Sequence, residues 1–411
     1  MITQQPHARL CPLRPESEFL VWCARTVLTD DLTARIRARA QEALDWSIVR
    51  NMAEYHGVVP LLYKNLSAVS SELVPAKLLM QLRHQTQAEA MLNRALANEL
   101  VVLCDALTAR GVPVIPIKGA TLAVSAYGDV ALREFTDLDL LVPKASMAAA
   151  QAVLLAHGYK CKTASEKSGE TSHEQGPYHV YIKTRGLARV DLQWVMAHQF
   201  FTFWLDRPEF WRSRIPVVLE NKTVPGLAPE LLLIVLCVHG SKHAWELLKW
   251  VCDVAELLRS HPDLDWNQIF VYASNWRCRG MLSMGLSLAH RLLDAPLPEL
   301  VLARLERDSD VQMLSHRMPA SLLTNSQDGV NEEQAGALYF SLKDSWWERW
   351  SVGLLLCRAH SRLATTPPSW FRWQHSLPRL ANVIIPLHRA IKRLLSPAVR
   401  GAINRWVPHG G

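Results

Sequence analysis

The 411-residue sequence has no CxxC pair, no long apolar run and no internal repeat. Its eight cysteines (Cys11, Cys23, Cys104, Cys161, Cys237, Cys252, Cys278 and Cys357) are scattered. That spacing excludes a zinc ribbon or a disulfide framework and suits reduced thiols in cytoplasm. Cys237 and Cys252 lie within apolar runs and read as plain core residues. The longest uninterrupted apolar run, Leu231 to Val238, is far too short to span a bilayer, so the chain reads as soluble. The N-terminal stretch to Phe19 lacks an apolar h-region, and no signal peptide is expected. A concentrated basic stripe is also missing. The net charge of +7 and the isoelectric point near 9.0 suit a protein that handles phosphates, without marking a nucleic-acid binder.

What is present is globular. Hydrophobic residues make up 49% and charged residues 20% of the chain, which argues against general disorder. The length implies about two to four structural units. Residues 1–100 read as helical, with apolar residues at three- and four-residue spacing over Phe19 to Leu28 and Asp31 to Tyr55. A long helix is expected from Pro75 to a C-cap at Gly111.

The pattern then changes. Pro113 to Ile117 reads as a short buried strand. Phe135 to Val142 alternates polar and apolar residues, as a strand with one wet face does. Lys144 to His157 is an Ala-rich helix closed by Gly158, and Tyr159 to Thr163 a further short strand. After a polar stretch at 164–176, Pro177 to Lys183 and Ala188 to Trp194 read as two strands joined by a turn. From Pro229 the chain is helical again, over 229–259, 266–275, 279–293 and on to about residue 360. The expected fold class is α/β (α+β): a small mixed-sheet core at 101–224 embedded in a mostly helical protein. It would be preceded by a helical region at 1–100, closed by helices at 225–300 and followed by a Trp-rich region with a basic tail at 301–411.

The chemistry sits on the strands. Asp137 and Asp139 flank Leu138, so both carboxylates point to one face. Like charges that close repel unless a cation lies between them, and Mg²⁺ prefers a few carboxylates with phosphate oxygens. Asp191, on another predicted strand, supplies a third carboxylate, as a two-metal site requires. Upstream, the strand followed by Lys118-Gly119-Ala120 and a helix start puts backbone N–H groups and a cation where phosphates bind. Arg133 offers a further phosphate ligand. Read otherwise, the aspartates are solvated carboxylates on a strand edge, and Lys118 and Arg133 ordinary surface cations.

Ile117-Lys118-Gly119-Ala120, Tyr127, Arg133 and Asp137-Leu138-Asp139-Leu140-Leu141-Val142 resemble the uncharacterised bacterial nucleotidyltransferase family of the DNA polymerase β-like superfamily. Val190 to Trp194 is similar to its third-carboxylate strand. His239-Gly240, Lys242-His243, Trp245 and Asp253 are similar to the helix that follows, and Pro367 to Arg393 to its C-terminal segment. The resemblance implies Mg²⁺ or Mn²⁺ held by Asp137, Asp139 and Asp191, and an NTP substrate. A nucleoside monophosphate would pass to an acceptor with loss of pyrophosphate. It leaves the acceptor open, with a small metabolite, sugar or peptide favoured. The loop here is Gly119-Ala120 where the superfamily usually has Gly-Ser or Gly-Gly, so an inactive nucleotide- or partner-binding module is the rival reading.

His239, His243, Glu246, Trp250 and Asp253 would form one polar stripe on a helix at 229–259, where His239 and His243 would touch the nucleotide or its acceptor, or else stand as satisfied interdomain histidines. No HExxH glutamate accompanies the histidine pair, which argues against zinc. His173 and His179 flank the polar stretch near the site. The C-terminal tryptophans (Trp346, Trp347, Trp350, Trp370 and Trp373) read as core packing. The basic tail beyond Leu380 offers at most weak contact with an anionic membrane surface.

Overall fold

The computed structural model describes residues 13–69, 71–161, 178–184, 186, 188–198 and 201–323, together with Leu338 and Leu342. The polar stretch with His173, the C-terminal tryptophans and the basic tail lie outside the described residues. The chain divides after Arg349, and every described residue belongs to the first unit.

Five helices come first: α1 (Pro15–Cys23), α2 (Asp30–Ala40), α3 (Trp46–His56), α4 (Val59–Val69) and α5 (Ala76–Ala109). The helical spacing over Asp31 to Tyr55 is shared between two helices, α2 and α3. The chain stops at Ala40 and restarts where the Asp45 carboxylate accepts the Ser47 and Ile48 N–H groups at 2.9 and 3.3 Å, an N-cap that ends one helical run and begins another. α5 runs as its periodicity predicts and ends before Gly111, whose φ of 70° only glycine takes without strain.

The sheet follows. Its elements are β1 (Ile115–Pro116), α6 (Ala120–Tyr127), β2 (Asp137–Leu141), α7 (Met147–Ala156), β3 (Tyr159–Cys161), β4 (Tyr178–Lys183) and β5 (Arg189–Gln193). The strand order is β1-β2-β5-β4-β3. β2 and β5 are parallel, and the other pairs antiparallel. Alternation along β2 and β5 sends Leu138, Leu140, Val190 and Leu192 into one apolar cluster with Leu96, Leu100, Leu103 and Leu107 of α5. Each such buried side chain contributes about 1.5–3 kcal/mol. Asp137, Asp139, Arg189, Asp191 and Gln193 therefore point to the opposite face.

Two hairpins come next, with a short helix between them: β6 (Val195–His198), β7 (Phe201–Trp204), α8 (Pro208–Arg212), β8 (Arg214–Leu219) and β9 (Lys222–Leu227). Neither hairpin is expected from the sequence. The β8–β9 turn is Glu220-Asn221, both at positive φ (46° and 66°), as a two-residue hairpin turn demands. With no glycine there, the usual hairpin signal is weak.

The remaining helices are α9 (Pro229–Lys242), α10 (Leu248–Ser260), α11 (Trp266–Asn275), α12 (Arg279–Leu293), α13 (Glu299–Glu306) and α14 (Ser309–Leu323). None of the helices among the described residues is long and apolar enough to cross a membrane. The single helix expected over 229–259 is broken between Lys242 and Leu248. Ala244 and Trp245 take φ of 50° and 55°, and the Trp245 side chain is fully buried. Two glycines make room for it. A Cβ on Gly240 would lie 2.5 Å from the Trp245 ring, and one on Gly285 at 2.9 Å. Burial of this indole holds the corner against the cost of its backbone. Replacing Trp245 by Ala is expected to destabilise the protein by about 3–5 kcal/mol, and Gly240→Ala by about 1–3 kcal/mol through overpacking. Urea denaturation of both variants checks this.

Candidate active site

The parallel β2–β5 pairing sets Asp139 opposite Asp191 and Asp137 opposite Arg189. The three carboxylates each offer an oxygen, and these lie within 4.8 Å of one another. They form the floor of a cavity of about 350 Å³ that is roofed by the α9–α10 corner. Burial, and then the charge of Asp139, raises the Asp137 carboxyl above its ordinary value, as expected of like charges gathered away from water.

Each of the other two carboxylates has its own compensation. Lys118 Nζ lies 2.8 Å from Asp139 Oδ2, and Gln193 Nε2 donates to Asp139 Oδ1 at 3.0 Å. Arg189 forks onto Asp191, with Nε and Nη2 donating to the two carboxylate oxygens at 2.9 Å each. Lys118 Nζ is also 3.5 Å from His239 Nε2; an ammonium can only donate, so that nitrogen accepts. Burial, followed by the charge of Lys118, pushes His239 well below the usual imidazole range, and the ring is neutral.

Lys118 and Gly119 line the cavity. Gly119 has φ 66° and ψ −125°, a backbone conformation that residues with a Cβ rarely adopt, so the loop needs glycine. The Ala120 side chain is buried in the apolar cluster and reaches no ligand site; only its backbone starts α6. The Thr121 hydroxyl donates back to the Lys118 carbonyl at 3.1 Å.

Arg133 lines the cavity as well, but its hydrogen bonds go elsewhere. Nε and Nη2 donate to the two oxygens of Asp253 at 2.7 and 2.8 Å. The Tyr127 hydroxyl donates to Asp253 Oδ1 at 2.7 Å. The two side chains of the ion pair are 6% and 1% exposed, and Asn93 holds the loop by donating to the Val130 and Arg133 carbonyls at 2.9 Å. The pair ties the loop before β2 to α10. Removing one partner strands a buried charge, so Asp253→Ala is expected to cost about 3–5 kcal/mol, read by urea denaturation.

The polar stripe expected from His239 to Asp253 is split by the corner. His239, His243 and Trp250 line the cavity, with His243 stacked on Trp250 at 4.9 Å and His239 edge-on to the same ring at 5.7 Å. Glu246 instead accepts from the Tyr55 hydroxyl at 2.7 Å. His179 pairs with Leu192, which puts it on the face of the sheet away from the triad, so its expected place near the site is corrected.

Arg189, Glu134 and Lys249 line the cavity and are not singled out by the sequence. A signal exists for Arg189: it lies two residues from Asp191 on the same strand. Glu134 and Lys249 have none, being far apart in the chain. Around the cavity, Asp137, Asp139, Asp191 and Glu134 face Lys118, Arg189, Lys242 and Lys249. Burial lowers both Lys242 and Lys249 from the ordinary lysine value.

A mixed sheet thus presents three clustered carboxylates beside a lysine–glycine loop at a helix start. The chain belongs to the uncharacterised nucleotidyltransferase family, whose model matches residues 42–294. No curated protein matches the sequence. Among solved structures, it is similar to ANT(2″)-Ia in complex with adenylyl-2″-tobramycin, at 14% identity and a TM-score of 0.32, over 44% of this chain and 98% of that one. It is similar also to the solution structure of the antibiotic-resistance factor ANT(2″)-Ia, at 14% identity and a TM-score of 0.32, over 44% of this chain and 90% of that one. At that level the likeness bears on neither substrate nor mechanism.

Burial, and then the charge of Glu89, raises the Glu134 carboxyl from 4.5 to about 7. Glu89 is itself raised by burial, Lys249 opposes the shift, and Glu134 Oε1 accepts the Val59 N–H at 3.2 Å. A carboxyl that holds its proton more tightly when folded favours the native state at low pH. Its contribution is complete below pH 4.5 and is lost as pH rises through about 7. Glu134→Gln is expected to flatten that part of the stability profile, which melting temperatures of both proteins from pH 4.5 to 8 will show.

Proposed function

We propose that the protein is a divalent-metal-dependent nucleotidyltransferase. It moves a nucleoside monophosphate from an NTP to an acceptor and releases pyrophosphate. The observation that carries this reading is the convergence of Asp137, Asp139 and Asp191 within 4.8 Å in a chain of this family. The residues fit Mg²⁺ or Mn²⁺. All three offer hard oxygen donors, and Asp139 Oδ2 is buried without a hydrogen bond, meeting only the Lys118 ammonium. Bound there, the metal would offset triphosphate charge and favour a deprotonated acceptor.

The protein's own residues do the positioning. Lys118 and the backbone of Gly119, at the head of α6, face the phosphates. Gln193 orients Asp139. The Arg133–Asp253 pair fixes the loop that leads into β2, so Arg133 acts by holding Asp137 in place and not as a mobile phosphate ligand. His239, kept neutral, accepts from Lys118 and sets the direction of its charge. His243 and Trp250 offer an aromatic wall for a base or an acceptor ring. Catalysis would then rest on positioning and preorganised charge.

Calorimetry with Mg²⁺ and each of the four NTPs tests the reading. Wild type is expected to bind at least one NTP only when Mg²⁺ is present. Asp137→Asn with Asp139→Asn is expected to weaken that binding by about 100-fold or more, since even groups that merely support metal ligands are worth about 10–100-fold. Equal binding by the double variant would refute it. Tight binding with no turnover across a broad acceptor screen would leave a nucleotide-binding module instead.

A further inference from the structure

Two arginines line the cavity, and they are held in opposite ways. Arg133 is 6% exposed and forked onto the fully buried Asp253. Were it to leave, a buried carboxylate would lose the partner of its direct ion pair. Arg189 is also forked onto a carboxylate, but its side chain is 48% exposed, against 16% for Asp191. Both of its bonds go to Asp191, one of the three clustered acids. As β5 residues two apart, the two share one face of the sheet, and Arg189 also lies opposite Asp137 in the β2–β5 register.

The fork on Asp191 therefore occupies both oxygens of a candidate metal ligand with a cation. A divalent ion arriving at the same carboxylate meets that charge and competes with it for the oxygens' lone pairs. Once displaced, the guanidinium lies beside added positive charge and has lost its anion. A triphosphate in the cavity supplies one, in the planar two-point geometry that arginine matches.

We propose that Arg189 is an exchangeable counter-ion: it neutralises Asp191 in the free protein and transfers to the nucleotide's phosphates when metal and NTP load together. The inference rests on the metal-dependent reading above. Metal alone then binds weakly, metal with nucleotide binds well, and the two ligands support each other. No bond to carbon or phosphorus is made or broken in the exchange; one ion pair replaces another.

The experiment uses the full chain, with Mn²⁺ as the probe and free Mn²⁺ followed by electron paramagnetic resonance. Arg189→Met is expected to bind Mn²⁺ alone about five-fold tighter, the scale of a half-exposed ion pair. In the presence of Mn²⁺ it is expected to bind the preferred one of ATP, CTP, GTP and UTP about ten-fold more weakly. Arg189→Lys, which keeps the charge without the fork, should fall between Arg189→Met and wild type in both measurements. The gain in Mn²⁺ affinity should vanish when Asp191→Asn is added to Arg189→Met. Mn²⁺ binding that is equal in wild type and Arg189→Met overturns the counter-ion role while leaving the metal site standing. Tighter Mn²⁺ binding with unchanged nucleotide affinity overturns the transfer to phosphate. If neither protein takes up Mn²⁺ with or without nucleotide, the metal-dependent reading fails and this inference fails with it.

Discussion

Parallel pairing of β2 with β5, in register, gathers three carboxylates on one face of a small sheet. The apolar residues between them face α5, so the acids cannot turn away without exposing the core. Much of the surrounding structure answers that concentration of charge. Lys118 meets Asp139, Gln193 orients it, and Arg189 meets Asp191. Asp137 has neighbouring cations but no such direct partner among these bonds, and burial, followed by the charge of Asp139, raises its proton affinity.

The roof of the site depends on a second set of constraints. Trp245 is buried at the break between α9 and α10, in space left by Gly240 and Gly285. The break turns Lys249 and Trp250 toward the cavity already lined by His239 and Lys242. Asp253, one helical turn further on, then receives Tyr127 and Arg133 in a fully enclosed network. Enclosed bonds of this kind are costly to break, and they make a fixed wall. The cations on the floor are of another kind: Lys118 and Arg189 bind groups that a metal ion would also claim. On the proposed reading, a rigid wall beside an exchangeable floor would let a charged substrate load without rearranging the fold.

Much of this is legible in the order of residues alone. Asp137-Leu138-Asp139 and Val190-Asp191-Leu192 alternate with the period of a strand, so their facing follows from covalent geometry. The long α5, the Lys118-Gly119 loop and the helices at 266–275 and 279–293 also come from local signals. Less local features are not legible in this way. The α9–α10 break interrupts an apolar pattern that continues through Leu247, Val251, Val254 and Leu258, and nothing at 243–247 is a helix breaker by type. The β8–β9 turn uses Glu220 and Asn221 at positive φ without glycine.

By itself, the sequence determined which side chains share a strand face, where the long helix ends and that three acids and a lysine–glycine loop lie in one α/β unit, because these follow from residue type and spacing over a few positions. Only the tertiary structure decided what each charge meets. Arg133 finds Asp253 across 120 residues of chain, Lys118 finds His239 across 121, and the β2–β5 pairing brings Asp191 to Asp139. Ion pairing depends on distance in space and on burial, and neither is set by separation along the chain.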